Sequence, residues 1–196
     1  MPTIDLRQAI IGEANRQGVD PAIALAVATR ESGVMQWYPN GKLVTGKAGE
    51  IGIFQIMPSS APGYDLTDPL QNIAAGVAYL ALMRDRYGDW RLALAGYNWG
   101  PGNVDKYVAG NASLPSSVNG YITDVMSKAG IYTASLQIKQ RQQNAADQAQ
   151  AAAADPAAGA TFPSATFPSS PALSGSKPAI IAGVVFLSVA TWLAIS

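Results

Sequence analysis

Glu31 is the residue from which chemistry can first be argued. It follows the run Ala22 to Ala28, in which every residue is apolar, and sits in Thr29-Arg30-Glu31-Ser32-Gly33. A helix with no solvent face for two turns must run through a core, so the spacing predicts a carboxyl delivered at the mouth of a buried helix. The C-terminal end of a helix carries partial negative charge and disfavours an ionised carboxylate. Burial acts in the same direction, so the acid is held protonated near neutral pH. A proton-donating carboxylic acid is what cleavage of a glycosidic bond requires, because the leaving sugar oxygen must be protonated. From periodicity alone the plainer reading is an exposed glutamate near a helix end, paired with Arg30, since most glutamates lie on surfaces.

Two further constellations carry polar groups beside apolar ones. In Gly49-Glu50-Ile51-Gly52-Ile53-Phe54-Gln55-Ile56-Met57-Pro58, a short extended stretch would put Gln55 and Met57 on one face. An amide beside a thioether suits a polar sugar ring with an acetamido group; the alternative is a loop folded back on the core with methionine as filler. In Ala93-Leu94-Ala95-Gly96-Tyr97-Asn98-Trp99-Gly100-Pro101-Gly102, a phenol, an amide and an indole collect at a helix end. They suit carbohydrate, although Trp99 could equally complete a core.

Composition narrows the chemistry. The 196 residues include neither cysteine nor histidine, which removes thiol nucleophiles, disulfides, Ser-His-Asp triads and the usual zinc sites. Carboxylate, hydroxyl, amide and lysine chemistry remain, and no cofactor or metal requirement is read. Thirteen basic and thirteen acidic residues balance to zero formal charge, so no broad field draws the chain to nucleic acid.

The elements that must position these residues are well marked. Asp20-Pro21 and Asp68-Pro69 each place an N-cap and an N1 proline ahead of a helical run, the second stopping at Gly88. Asp89 can cap a helix from Trp90 to Tyr97, Pro101 can open another, and Ser117 begins a segment expected to close at Gly130. Val34 to Gln55 is glycine-rich and reads as an irregular lobe with room for a small hairpin. The fold class is mainly α. Residues 131–154 are Gln/Ala-rich, with good helix propensity but no apolar stripe in their later part, and are expected as an exposed or fraying helical extension. Residues 155–177 form a Pro/Ser/Ala-rich linker in which ATFPS occurs twice, a composition that cannot bury enough surface to fold alone. From Pro178 to Ser196 the chain is uncharged and long enough to cross a bilayer as one helix, which gives the expectation of a transmembrane anchor. The N-terminal residues do not read as a secretory signal.

Taken in order, Glu31-Ser32-Gly33, GEIGIFQIMPSSA, NIAAGVAYL (Asn72 to Leu80), ALAGYNWGPGNV and YITDVM from Tyr121 resemble the lytic transglycosylase domain of the soluble-lytic-transglycosylase type. The resemblance covers roughly Ile4 to Gly130, so the domain is bounded at 1–130. It implies a lysozyme-like, mainly helical fold with a cleft between two lobes, and it turns Glu31 from surface residue into catalyst. The family's glutamate protonates the oxygen linking N-acetylmuramic acid to N-acetylglucosamine in peptidoglycan. It then removes a proton from the muramic C6 hydroxyl, which closes onto C1 to give a 1,6-anhydro product without water. One carboxylate thereby does what ordinary glycosidases divide between two. By the same matching Ser32, Gln55, Met57, Tyr97, Asn98 and Tyr121 are expected to bind substrate, Tyr97 lying near the glutamate.

Four positions depart from the family pattern. Val34 to Ala48 is a few residues longer than usual. A serine often found near Gly46 is absent, with only Thr45 adjacent. Glu50 replaces a small residue, and Gly96 replaces an alanine. If Glu50 reaches the cleft it is a second carboxylate and hydrolysis becomes possible; its plainer role is a solvated loop charge. Three functional readings follow: a membrane-anchored lytic transglycosylase, a hydrolytic muramidase on the same fold, or a glycan-binding membrane or virion protein without turnover. A lytic head tied to a C-terminal anchor, with no export signal, suggests a phage virion with an internal membrane or a delivery apparatus; the alternative is the bacterial inner membrane.

Overall fold

The computed structural model describes residues 4–154; the expected linker (155–177) and anchor (178–196) lie outside the described residues. Six α-helices occur among the described residues: α1 (Leu6–Arg16), α2 (Pro21–Ser32), α3 (Pro69–Tyr87), α4 (Trp90–Trp99), α5 (Pro101–Val108) and α6 (Ser116–Ala154). None of them is long and apolar enough to cross a membrane.

The helix starts lie where aspartates can satisfy free backbone N–H groups. Asp20 accepts from Ala22 N, Asp68 from Gln71 N and Asp89 from Leu92 N. Gly33 and Gly88 end α2 and α3 in the left-handed conformation, each with φ +68°, which glycine adopts without a side-chain clash. As the all-apolar run requires, α2 is buried from Ala22 to Ala28 and packs against α1 and α6.

Between α2 and α3 the chain forms the expected irregular lobe. Its hairpin content is limited to isolated antiparallel bridges, Trp37 with Leu43, Thr45 with Ile51 and Ile51 with Ile56. Residues 51–56 depart from the extended stretch read from alternation. Ile51 and Ile56 exchange both backbone hydrogen bonds, at 3.0 and 3.1 Å, and the residues between them turn back tightly. Gly52 has φ +75° and Gln55 φ +46°, so Ile53 and Phe54 point into the core and are fully buried.

The turn is fixed from below by two buried amides. Gln36 Oε1 accepts from Ile53 N at 3.2 Å and Asn72 Oδ1 accepts from Phe54 N at 3.0 Å. A Cβ on Gly52 would lie 2.4 Å from Gln36 Oε1 and 2.5 Å from Asn72 Nδ2, so only glycine lets the amides approach. Four residues beyond Asn72 on the same face of α3, Gly76 receives the Phe54 ring.

The helix opened at Ser116 was expected to stop at Gly130 and instead runs through it to Ala154. Glycine inside a helix costs about 1 kcal/mol relative to alanine. Packing beyond it offsets that cost: Tyr132 and Leu136 lie against the core, and the Tyr132 hydroxyl is 2.9 Å from Thr29 Oγ1 on α2. From residue 137 the side chains described are exposed, as expected for the extension.

The two helical glycines predict opposite effects. A Cβ on Gly76 would lie 2.2 Å from Phe54 Cγ, whereas one on Gly130 meets nothing within 4 Å. Gly76→Ala should therefore destabilise by about 2 kcal/mol through overpacking, and Gly130→Ala should stabilise by about 0.5–1 kcal/mol. Urea unfolding midpoints of the two variants check this. Equal midpoints would mean that the Phe54 ring is not seated on α3.

Candidate active site

Glu31 lies in the last turn of α2 and forms part of the wall of a cleft of about 520 Å³. The opposing contributions come from the irregular lobe (Gly46, Lys47, Glu50, Gln55, Ile56, Met57), from Ser60, from Tyr79 on α3, and from the α4–α5 corner (Tyr97, Asn98, Trp99, Gly100, Pro101). Of the expected residues, Glu31, Gln55, Met57, Tyr97 and Asn98 are brought together here.

The Glu31 carboxyl is shifted toward its protonated form. Burial pushes its carboxyl above the ordinary carboxylate value, and the charge of Glu50 adds to this. A hydrogen bond from Tyr121 and the charge of Arg30 oppose it. The Tyr121 hydroxyl donates to Glu31 Oε1 at 2.6 Å. Tyr121 itself is buried on α6, and burial followed by the charge of Glu31 pushes its hydroxyl well above the ordinary tyrosine value. It therefore remains a donor. Arg30 lies over the Tyr121 ring, 5.7 Å from its centroid, and pairs with Asp124 at 3.2 Å. Tyr121 is thus placed behind the acid, as its partner, and does not form part of the cleft wall.

Tyr97 was expected to lie near the glutamate and it lines the same cleft, yet its hydroxyl has another task. It donates to Phe54 O at 2.7 Å. Burial, with the charge of Glu31 second, pushes that hydroxyl well above its ordinary value. The Tyr79 ring tilts against it with centroids 5.4 Å apart. Sequence reading passed over Tyr79, although its position seven residues after Asn72 places both on one face of α3.

Gln55 holds its left-handed backbone with its own side chain, Nε2 donating to Gly52 O at 2.8 Å. Val34, immediately after the end of α2, also has positive φ, at +66°, and for a β-branched residue this is a strained conformation. Gln55 lines the cleft itself, where such conformations tend to collect.

Ser32, like Tyr121, departs from its expected place in the cleft wall, and the question left open for Glu50 is answered. Ser32 was expected to bind substrate; it is buried, its hydroxyl donates to Ile53 O at 2.8 Å and accepts from Met35 N at 3.0 Å. Its polar capacity is spent tying α2 to the turn, and it does not line the cleft. Glu50, for which a solvated loop charge and a second cleft carboxylate were both open, is partly buried and lines the cleft with Glu31. Its Oε2 accepts from Ala48 N at 3.0 Å.

The other departure, Gly96, has a packing cause. A Cβ there would lie 2.9 Å from both Met83 Sδ and Tyr87 Cε2. Tyr87 in turn donates to Pro101 O at 2.8 Å, which braces the α4–α5 corner of the cleft.

Comparison with known proteins agrees with this fold. The family described as Transglycosylase SLT domain matches residues 8–119. Soluble lytic murein transglycosylase from Escherichia coli K12 is 31% identical over 139 residues, covering 58% of this chain and 21% of the relative. The chain thus spans about a fifth of the length of the curated relatives it matches. The 70 kDa soluble lytic transglycosylase of Escherichia coli superposes with a TM-score of 0.58 at 25% identity, over 66% of this chain and 24% of that one. A structure of an inactive mutant of lytic transglycosylase Slt from Pseudomonas aeruginosa superposes with a TM-score of 0.58 at 25% identity, over 67% and 24%.

The Tyr121 bond gives a signed prediction. It favours the ionised form of Glu31, so Tyr121→Phe should move the titration midpoint of the Glu31 carboxyl upward. Carbon-13 NMR of labelled glutamate in the two proteins reads this directly. A midpoint that stays put or moves down would show that the hydrogen bond is not made in solution.

Proposed function

Since this chain belongs to the transglycosylase SLT domain family, we propose that it is a peptidoglycan lytic transglycosylase in which Glu31 is the single acid and base of the intramolecular reaction. The observation that carries the reading is the Glu31 carboxyl, partly buried at a cleft wall and raised toward its protonated form. In the first step Glu31 gives its proton to the oxygen between N-acetylmuramic acid and N-acetylglucosamine as the C1–O bond breaks. The carboxylate left behind takes the proton of the muramic C6 hydroxyl as that oxygen bonds to C1. The products are a free hydroxyl on one sugar and a 1,6-anhydro end on the other, and Glu31 regains its proton.

The surrounding groups suit this cycle. Tyr121 donates to the carboxylate formed midway, which tempers the cost of its charge. Gln55, Met57 and Asn98 line the cleft and provide amide and thioether contacts for the acetamido sugars.

We read the uncharged run from Pro178 to Ser196 as a membrane anchor, and delivery from a phage particle as the setting that suits a tethered wall-opening domain. Carriage on the bacterial inner membrane is the alternative. The full chain should enter the detergent phase on phase separation, and a chain ending at residue 177 should not. The protein's presence in the host envelope and absence from purified particles would remove the phage setting.

Digestion of purified peptidoglycan with the full chain tests the reaction. Anhydromuramic ends are expected, and Glu31→Gln should reduce their release by on the order of 10²–10⁴-fold. Activity should fall as pH rises through the Glu31 value, because the acid must start protonated. Anhydro products undiminished in the variant would sink the assignment.

A further inference from the structure

Glu31 and Glu50 arise from different elements and line one cleft. The main chain beside Glu50 is fixed on both sides, because Ile51 bridges Thr45 and Ile56. Its side chain is also placed. Gly46 leaves open the space that a side chain would take, and a Cβ there would lie 2.1 Å from Glu50 Oε2 and 2.8 Å from its Cδ. The carboxylate therefore lies over Gly46, with Oε2 held by the Ala48 N–H at 3.0 Å. A carboxylate has acceptor capacity well beyond one such bond, so the group is oriented and still able to take a proton.

Intramolecular closure needs one carboxylate and no water. Water attacking a sugar carbon needs a base to remove its proton, and hydrolysing glycosidases provide that base as a second carboxylate in the cleft. We propose that Glu50 is that general base, and that this chain hydrolyses glycan strands as well as closing them into anhydro ends. The proposal rests on the transglycosylase reading above and extends it. In the hydrolytic step Glu31 gives its proton to the bridging oxygen as the C1–O bond breaks. The oxygen of a solvent water bonds to C1, and Glu50 takes the proton which that water loses. The products are a free hydroxyl on the leaving sugar and a reducing muramic end. Glu31 is left ionised and Glu50 protonated, and proton exchange with solvent restores both.

The test uses the full chain and peptidoglycan reduced beforehand with borohydride, so that every reducing muramic end seen afterwards is new. Mass spectrometry of the released fragments gives the ratio of reducing to anhydro ends. Both kinds are expected from the unaltered chain. Glu50→Gln keeps an acceptor for Ala48 N–H and removes the base, so it should lower the ratio by on the order of 10²-fold. Glu50→Ala should do the same, and circular dichroism of both variants reports whether the fold is intact. Anhydro ends alone from the unaltered chain would overturn the proposal and leave the transglycosylase reading standing. A ratio unmoved in both folded variants would also overturn it. Reducing ends alone, lost in both Glu50 variants, would support Glu50 as the base and refute the transglycosylase reading, while no products from the unaltered chain would overturn both.

Discussion

The cleft depends on how Gln36 and Asn72 are satisfied. Both amides are out of contact with water, at 1% and 0% exposure, and a buried amide left without partners costs about 1–3 kcal/mol. Gln36 Nε2 donates to Leu66 O and Asn72 Nδ2 to Ile51 O, each at 2.8 Å, while their oxygens accept from Ile53 N and Phe54 N. The partners at Ile51, Ile53 and Phe54 are available only when the turn at Gly52 is closed against both amides. The lobe has no extended ladder to order it, and the amides replace one. Once the turn is set, its next two carbonyls fix the neighbouring helices: Ile53 O takes the Ser32 hydroxyl of α2, and Phe54 O takes the Tyr97 hydroxyl of α4. The carboxyl of Glu31 is therefore registered against the opposite wall through two adjacent peptide groups. In such a network each bond presupposes the others.

Holding the acid in place works against stability at neutral pH. The carboxyl of Glu31 is raised above its ordinary value, mainly by burial, so the folded chain binds that proton more tightly than the unfolded one does. Its contribution is thus fully present below the unfolded value and is lost as pH rises through the folded value. Left-handed backbone at Val34 and Gln55 adds cost in the same region. The compensation comes from elsewhere, chiefly the uninterrupted apolar run of α2 and its burial between α1 and α6. A helix without a solvent face leaves its last turn little freedom to move the acid away from the cleft.

What could be read from the sequence was local. Asp-Pro pairs announced the starts of α2 and α3, because capping and an N1 proline act within one turn. The apolar run announced the burial of α2, and with it the environment of Glu31. Contacts between distant segments were hidden. Alternation suggested a strand at Gln55 and Met57, but both residues reach the cleft through a turn whose cause, Asn72, lies on another element. Ser32 looks like a site residue beside Glu31, and only the approach of Ile53 O turns it inward. Gly130 reads as a stop unless one knows that Tyr132 and Leu136 find a core beyond it. Tyr79 was hidden in a small-residue helix, although Asn72, Gly76 and Tyr79 form a stripe along the face that meets the turn.

The departures from the family pattern make sense as halves of pairs. Gly96 gives up a methyl group where Met83 and Tyr87 crowd against it, and Tyr87 uses its position to brace Pro101. Gly46 similarly gives up a side chain where the Glu50 carboxylate lies. In a close-packed interior one member of such a pair cannot grow unless the other shrinks or moves. A side chain at position 46, such as the serine often found near it in the family, would collide with the Glu50 carboxylate as it now sits. What occupies that space here is a carboxylate, which is an acceptor when ionised. The charge of Glu50 also adds to the upward shift of the Glu31 carboxyl. The Gly46–Glu50 pair therefore sets a second carboxylate in the wall of the cleft that holds the acid.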